Sequence, residues 1–375
     1  MARKGASIAD HFELIPDPRI NRRKRHLLHD ILVIAICGVI CGADDWVSVA
    51  QFGREKEKWF RGFLRLPNGI PSHDTFGRVF AALDPNAFGR CFTSWVQDVA
   101  RVTAGEVVAI DGKTVRRSFD RASGKAAIHM VSAWAATNKL VLGQIKTEEK
   151  SNEITAIPRL LEVLDLRGCI VTIDAMGCQT EIAAKIIDKQ SDYVLGLKGN
   201  QGNLHAEVAA YFEQALKNDF VGTPHDFFEQ EDHGHGRDER RRVWCTNDLM
   251  WFANRSEWKG LRSIAMIEEE RTVNGTKSVE RRYFIGSLKG DDAREYGRVV
   301  RQHWGVENGL HWVLDVAFRE DECRVRAGNA AENLAMLRHV ALNLLKNEPT
   351  ANVGVKNKRL KAGWSEDYLL TVLQV

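Results

Sequence analysis

Apolar residues recur at helical intervals through the first hundred residues of the chain. They are spaced three and four positions apart across residues 27–63, and a Pro/Gly segment at 67–71 separates this stretch from a second one. Ser72, a favoured N-cap residue type, opens the second stretch. The pattern predicts a helical N-terminal domain over residues 1–100.

The pattern changes to strand type after residue 105. Three apolar stretches with short polar connections are compatible with an antiparallel meander, and they lie at 106–112, 126–136 and 140–147. Strands and amphipathic helices then alternate, with helices at 154–165 and 179–188 and strands at 169–174 and 193–198. Such alternation implies parallel pairing with helices on the sheet faces. The sequence therefore predicts an α/β fold, a mixed sheet flanked by helices.

Charged strands interrupt this alternation over residues 205–290, where an Asn-Gly pair at 274–275 favours a hairpin turn. A long helix at 292–318 and an amphipathic helix at 329–346 follow. We expect an α/β core built from 101–204 and 291–346, a β-rich insertion over 205–290, and a basic C-terminal tail over 347–375.

Composition indicates a globular protein of a reducing compartment. The chain has 375 residues, of which 44% are hydrophobic, enough for a large core. Its longest apolar run, 31–43, is shorter than the roughly 20 residues that cross a bilayer. None of the seven cysteines forms a CxxC pair. We expect a cytoplasmic location, with no membrane partner and no zinc module.

Positive charge is concentrated near both ends of the chain although the net charge is only +3. Residues 18–26 contain five Arg or Lys, and residues 356–361 contain four. Such clusters suit phosphate backbones, and the two helical stretches of the N-terminal domain have the outline of a helix-turn-helix. DNA binding by this domain is therefore one hypothesis. Solvated termini and an ordinary helical domain are the alternatives.

Two aspartates end strands that are otherwise apolar. Asp174 follows the run 169–173, and a capping role fits poorly because the next helix begins several residues later, near Thr180. Asp111 follows a similar run and precedes Gly112, so a hairpin turn is an alternative for it. Chemistry in α/β sheets collects at the carboxyl ends of parallel strands. Two carboxylates held close together there require a cation, and oxygen ligands favour Mg²⁺ or Mn²⁺.

Glu307 is the candidate third carboxylate. On the long helix its neighbours form a mostly apolar, inward face; they are Val300, His303, Trp304, Leu310, His311 and Leu314. A glutamate on such a face needs a partner, which a metal would provide. A hydrogen bond to His303 or His311 is the structural alternative, and a zinc site of these two histidines with Glu307 is another.

A nucleotide-binding loop is not expected. The segment DGKT at 111–114 ends like a phosphate-binding loop, but Val107 occupies the position where that loop requires glycine. We therefore expect no nucleotide cofactor.

The chain resembles the DDE transposases of bacterial insertion sequences, most closely the branch that includes the H-repeat-associated proteins. The resemblance covers nearly the whole chain and is carried by AIDGKTVRRS (109–118), residues 150–183, YVLGLKGNQ (193–201), HWGVENGLHWVLDVAFRED (303–321) and KRLKAGWSEDYLL (358–370). It implies an RNase-H-like core with a β-rich insertion and a helical N-terminal domain. It also implies that Asp111, Asp174 and Glu307 bind Mg²⁺, for which Mn²⁺ substitutes.

The resemblance further implies strand cleavage and transfer at the ends of an insertion sequence. The partners would be the element ends and target DNA, bound by a homodimer at the bacterial nucleoid. Related enzymes surround the glutamate with a Tyr, Arg, Glu, Lys series, whereas this chain has Val300, His303, Glu307 and Leu314 at those places. His303, Asn308 and His311 are candidate substitutes for the missing DNA contacts.

Four basic residues near the aspartates are candidates for phosphate contacts, with surface solubility as the alternative role; they are Lys113, Arg116, Arg117 and Lys198. Two other functions keep the same fold. One is a metal-dependent DNA nuclease without strand joining, which inverted repeats beside the gene would argue against. The other is a domesticated, non-catalytic DNA-binding protein, which the retained carboxylates disfavour.

Overall fold

A computed structural model describes most of the chain; the described residues are 8–20, 24–100, 102–119, 124, 126–147, 153–234, 237–273 and 275–373. Its strands form a single mixed sheet in the order β3-β2-β1-β4-β5-β9-β8-β7-β6. The strands are β1 (Val107–Thr114), β2 (His129–Ala135), β3 (Leu140–Thr147), β4 (Ile170–Ile173), β5 (Asp192–Leu197), β6 (Asp226–Gly234), β7 (Arg237–Thr246), β8 (Ser263–Val273) and β9 (Thr276–Gly286).

The first five strands follow the predicted pairing. β1, β2 and β3 form an antiparallel meander, and β1, β4 and β5 pair in parallel. Their central residues are fully buried because helices cover both faces of this part of the sheet. The expected α/β class, with a mixed sheet flanked by helices and a helical N-terminal region, is confirmed.

The charged strands of the expected insertion extend the same sheet. β9 pairs antiparallel with β5, so the chain covers what would otherwise be an exposed sheet edge. Opposite charges face each other across β7, β8 and β9, as between Arg241 and Glu269 and between Arg281 and Glu268. Val273 pairs with Thr276 at the predicted hairpin turn, although Asn274 itself lies outside the described residues.

Helices precede, cover and follow the sheet; they are α1 (Ile8–Phe12), α2 (Leu28–Ile40), α3 (Trp46–Glu55), α4 (Glu57–Phe60), α5 (His73–Ala82), α6 (Pro85–Val99), α7 (Glu153–Val163), α8 (Thr180–Asp188), α9 (Asn203–Lys217), α10 (Ala293–His303), α11 (Trp312–Phe318), α12 (Ala330–Asn347), α13 (Val355–Trp364) and α14 (Glu366–Leu373). Ser72 caps α5 through the backbone N–H of Thr75, as the sequence predicted. Within the described residues, no helix is long and apolar enough to cross a membrane.

α12 joins the N-terminal helices to the sheet. Almost all of its residues are buried, and it packs against α2, α5, α6 and β3. The Asn343 side chain accepts a hydrogen bond from the backbone N–H of Val141 and donates one to its carbonyl, each at 2.9 Å. These bonds satisfy backbone groups on the edge strand β3, which lack a neighbouring strand there. The helical domain and the sheet therefore share one core.

Residues 347–375 differ from the expected basic tail, because α13 and α14 fold against α2 and α12. Lys358 and Arg359, from the basic cluster 356–361, are buried. Lys358 donates to the Leu345 carbonyl at 2.9 Å, and Arg359 donates to the Val39 carbonyl at 2.8 Å. Both side chains are held inside the fold by these hydrogen bonds and are not available to DNA. In the other cluster, residues 21–23 lie outside the described part of the chain.

The helix expected at 292–318 is interrupted. α10 ends at His303, a π-helical turn spans Glu307–His311, and α11 then ends where Arg319 adopts a left-handed φ of 50°. A π turn contains one residue more than an α turn, so it rotates the positions that follow it relative to a regular helix. The turn begins at Glu307, the candidate third carboxylate, and ends at His311.

Candidate active site

Asp111 and Asp174 lie side by side at the carboxyl end of the parallel pairing between β1 and β4. β1 and β4 pair in parallel up to Ile110 and Ile173, so each aspartate is the next residue after the last parallel pair of these two neighbouring strands. β1 continues past Asp111 and Gly112 and remains paired with β2 as far as Thr114. The hairpin-turn explanation of Asp111 is therefore wrong.

Local backbone groups hold both aspartates through one oxygen each. Asp111 Oδ1 accepts from the backbone N–H of Gly112 at 2.9 Å. Asp174 Oδ1 accepts from the N–H of Met176 at 3.0 Å and caps a short 3₁₀ turn at Ala175–Gly177, whereas α8 has Gln179 at its N-cap. Asp174 thus does cap a turn, one too short for the sequence pattern to reveal. These bonds orient the two carboxylates before any ligand binds.

Glu307 opens the π-helical turn and is exposed, with 55% of its side chain accessible. The inward, apolar environment expected for it is wrong, because α10 ends at His303 and Glu307 is exposed whereas Val306 and Leu310 are buried. Gly309 lets this turn lie against β2, where a Cβ at that position would approach the Trp134 ring to 2.9 Å. The turn therefore places Glu307 at the rim of the cleft that contains Asp111 and Asp174.

His311, at the end of the same turn, points back toward the carboxylates. Its Nδ1 lies 3.6 Å from Asp111 Oδ2 and 3.5 Å from Glu307 Oε2. One donor atom from each of these three residues lies within 4.8 Å of the others. Burial lowers the pKa of His311, although the Glu307 carboxylate opposes the effect. The side chain of His311, a candidate DNA contact, is only 8% accessible and faces the carboxylates.

A cleft of about 450 Å³ contains all three carboxylates and is also lined by Lys198 and His303. Burial, together with the nearby charges of Glu307 and Asp174, raises the pKa of Asp111 to about 7 although the hydrogen bond from Gly112 lowers it. The donors are carboxylate oxygens and one imidazole nitrogen, a set that fits a divalent cation. Such a cation would offset the repulsion that raises the pKa of Asp111.

Two family models match the chain over these elements. One, described as "DDE_Tnp_1-associated", matches residues 9–96, and one described as "Transposase DDE domain" matches residues 103–344. The chain belongs to the DDE transposase family. Membership implies a divalent metal requirement, in agreement with the donor set of the cleft.

Relatives of this transposase cover nearly its full length. It is 45% identical to "Putative transposase YncI" of Escherichia coli O157:H7 over 98% of this chain and 94% of that one. It is 40% identical to "H repeat-associated putative transposase YhhI" of Escherichia coli strain K12 over 98% and 97% of the two chains. A piggyBac transposase synaptic complex with hairpin DNA aligns with a TM-score of 0.41 at 11% identity, over 97% of this chain and 75% of that one.

Lys113 of the transposase is not positioned to contact a phosphate. Its ammonium group lies 2.8 Å from Asp315 and 3.2 Å from both Glu320 and Asp321, and the side chain is only 12% accessible. Burial lowers the pKa of Lys113, but the three carboxylates outweigh it and the net change is an increase. The predicted DNA contact at Lys113 is therefore replaced by a buried ion-pair cluster that joins β1 to the segment after α11.

The remaining basic candidates lie on the surface. Arg116 is 80% accessible while contacting Asp321 at 3.1 Å, Arg117 is exposed beside it, and Lys198 is exposed at the cleft. Asn308 is exposed in a neighbouring groove of about 490 Å³. All four side chains are exposed, and their contacts to DNA stay predictions.

His303 is held inside the cleft wall. Its Nδ1 lies 2.9 Å from the hydroxyl of Thr172 on β4, and burial lowers the pKa of His303 to about 4. The ring is neutral at pH 7 and does not replace the cationic arginine of related enzymes. Among the described residues, the donor cluster of Asp111, Glu307 and His311 includes neither His303 nor Asp174. Because the His303 ring bonds Thr172 instead, the predicted alternative of a zinc site with both histidines is not formed.

Sequence reasoning missed a buried pair beside Asp111. Glu153, at the start of α7, lies 2.6 Å from His129 Nε2 through Oε1, and His129 Nδ1 lies 2.9 Å from the Thr114 hydroxyl. Gly112, the residue after Asp111, packs against this pair, since a Cβ there would approach His129 Nε2 to 2.3 Å. Glu153 belongs to the motif at 150–183, but its partner is distant in sequence and no spacing reveals it.

Proposed function

We propose that this transposase uses Asp111, Asp174 and Glu307 to hold divalent metal, and that it cleaves and joins DNA strands at the ends of an insertion sequence. The observation that best supports this proposal is that three carboxylates from different elements line one cleft, which also contains exposed Lys198. Two like-charged aspartates at neighbouring strand ends are costly without a cation. Metal-dependent phosphoryl transfer explains why the fold retains them.

The three carboxylates would bind the metal ions, and backbone N–H groups orient two of these carboxylates. Divalent ions at the carboxylates, Mg²⁺ with Mn²⁺ as a substitute, would activate the attacking oxygen and stabilise the leaving 3′ oxygen. Asp111 and Asp174 each orient one oxygen through the backbone, which leaves the other oxygen for a ligand. Glu307 closes the set from the exposed π turn.

DNA would approach along exposed basic residues. Lys198 supplies positive charge at the cleft, Arg116 and Arg117 supply it on the surface after β1, and Asn308 adds a polar contact from a neighbouring groove. Phosphate contacts of this kind position a substrate without reading its sequence. Pairing of the two element ends would place one protomer on each, as a homodimer on DNA.

Two alternatives differ from this proposal in outcome. A nuclease would cleave the ends without joining them to a target. A non-catalytic DNA-binding protein would bind the ends without cutting them, and the preorganised carboxylates argue against it.

The test is strand cleavage of DNA carrying the gene's own flanks, with Mg²⁺ or Mn²⁺, by the wild type and Asp174→Asn. We expect metal-dependent nicking at the ends that falls by at least about 10²-fold in the variant, with DNA binding in EDTA unchanged. Joining of a pre-cleaved end to a target plasmid then separates a transposase from a nuclease. Binding without cleavage under either metal would favour the non-catalytic alternative.

A further inference from the structure

His311 places a nitrogen atom beside the carboxylates of the cleft. The side chain is only 8% accessible, and Nδ1 lies 3.6 Å from Asp111 Oδ2 and 3.5 Å from Glu307 Oε2. The π-helical turn puts Glu307 and His311 at its two ends and so directs both toward Asp111. A carboxylate triad alone does not require this fourth group.

The separations suit a shared cation better than a hydrogen bond. Protein hydrogen bonds from nitrogen to oxygen span about 2.7–3.2 Å, which is shorter than both distances. Two donors bound to one ion at about 2.0–2.2 Å each lie no more than about 4.4 Å apart, a limit that both distances satisfy. One donor from each of the three residues lies within 4.8 Å of the others.

The opposite ring nitrogen, Nε2, is where a His311 that ligates through Nδ1 would carry its proton. Nε2 is buried and has no hydrogen-bond partner among the described residues. His311 also lines a small cavity with Ser132, Glu320 and His339, where a hydroxyl and a carboxylate offer acceptors. A ring that ligates through Nδ1 carries its proton on Nε2, and a metal-bound histidine usually donates that proton to a nearby acceptor.

We propose that His311 is a metal ligand on the Asp111 and Glu307 side of the site and that it shifts the ion preference toward Mn²⁺ over Mg²⁺. The inference rests on the metal site of the proposed function. Mg²⁺ favours an all-oxygen environment, whereas transition metals such as Mn²⁺ bind imidazole more strongly than Mg²⁺ does. His311 therefore tunes the identity of the ion, a property that the three carboxylates do not set alone.

Metal binding to the full chain without DNA tests this directly. Pulsed electron paramagnetic resonance of bound Mn²⁺ should show coupling to an imidazole nitrogen in the wild type, and His311→Gln should remove it. The variant should also lose about 10-fold or more in Mn²⁺ affinity while its Mg²⁺ affinity, measured by competition, changes less than about 3-fold. His303→Gln is the matched control, since that ring bonds Thr172 outside the donor cluster.

The outcomes separate the two proposals. If the wild type binds no Mn²⁺, or if Asp111→Asn binds it equally well, the proposed metal site itself is wrong. If Asp111→Asn loses the ion but the wild type shows no nitrogen coupling, only the role of His311 is overturned, and this result stands even if His311→Gln folds poorly. An unchanged ratio of Mn²⁺ to Mg²⁺ affinity in a folded His311→Gln variant would also overturn it.

Discussion

Ile110 and Ile173 are paired in the parallel ladder of β1 and β4, and each is followed directly by an aspartate. The register therefore places Asp111 and Asp174 next to each other at the carboxyl end of this parallel ladder. β1 continues to Thr114, so its backbone is held on both sides of the site by strand pairing. A rigid backbone keeps two like charges close at a cost that a bound cation would offset.

Replacing Glu307 should affect chemistry and leave the fold intact. Because its side chain is 55% accessible at the rim of the cleft, Glu307→Gln should melt within about 2 °C of the wild type while strand cleavage falls by at least about 10²-fold. Glu322→Gln, an exposed change that does not line the cleft, is the control. Cleavage retained in Glu307→Gln would remove this residue from the metal ligands.

Arg116 and Arg117 should contribute to the salt dependence of DNA binding. Each phosphate contact that is lost lowers the slope of log affinity against log salt by about 1. The double change to alanine should therefore weaken binding at low salt and reduce the slope by about 2. Lys217→Ala, an exposed lysine at the end of α9, should leave the slope unchanged. An equal slope in both variants would exclude Arg116 and Arg117 as phosphate contacts.

Lys113 should stabilise the fold, in contrast to its exposed neighbour. Lys113→Met leaves Glu320, only 2% accessible, with one fewer cation, so we expect the free energy of unfolding to fall by about 2–4 kcal/mol. Arg116→Ala removes an exposed contact to Asp321 and should change it by less than about 1 kcal/mol. Denaturant unfolding gives the free energy of unfolding of each variant relative to the wild type. A neutral Lys113→Met would show that the buried cluster does not depend on this lysine.

Gly112 should tolerate no side chain. A Cβ there would lie 2.3 Å from His129 Nε2 and 2.4 Å from Glu153 Oε1, both on buried side chains, so Gly112→Ala should cost about 1–3 kcal/mol. At Gly234 nothing lies within 4 Å of the added Cβ, so Gly234→Ala serves as the control. Equal melting temperatures for the two variants would mean that His129 and Glu153 can move apart freely.

Glu348 should make the stability of the C-terminal helices dependent on pH. Burial by itself would raise the pKa of Glu348, but hydrogen bonds from Thr350 and Tyr368 outweigh burial and lower it to about 2. The unfolded value is about 4.3, so the stabilisation is complete above that pH and is lost as the pH falls toward 2. Glu348→Gln should lower stability by about 1.5–3 kcal/mol at pH 7 and by progressively less below pH 4. A constant difference from pH 7 to pH 2 would contradict this assignment.

Much of the fold was predictable because local patterns are strong there. Apolar strands at 106–112 and 169–174 and the capped helix after Ser72 all formed, since burial and capping act over a few residues. The C-terminal segment was misjudged because composition alone cannot distinguish solvated lysines from Lys358 and Arg359, which bind buried carbonyl groups. Those carbonyls belong to distant elements.

The sequence by itself determined the α/β class, the three candidate carboxylates and the family. Apolar periodicity and long motifs are local features, so they can be recognised without the tertiary structure. Only the tertiary structure decided what surrounds those carboxylates. It buried Lys113 among acidic groups, exposed Glu307 on a π turn and turned His311 toward Asp111. Each of these outcomes depends on side chains that are far apart in sequence and on a change of helical register, neither of which a local pattern specifies.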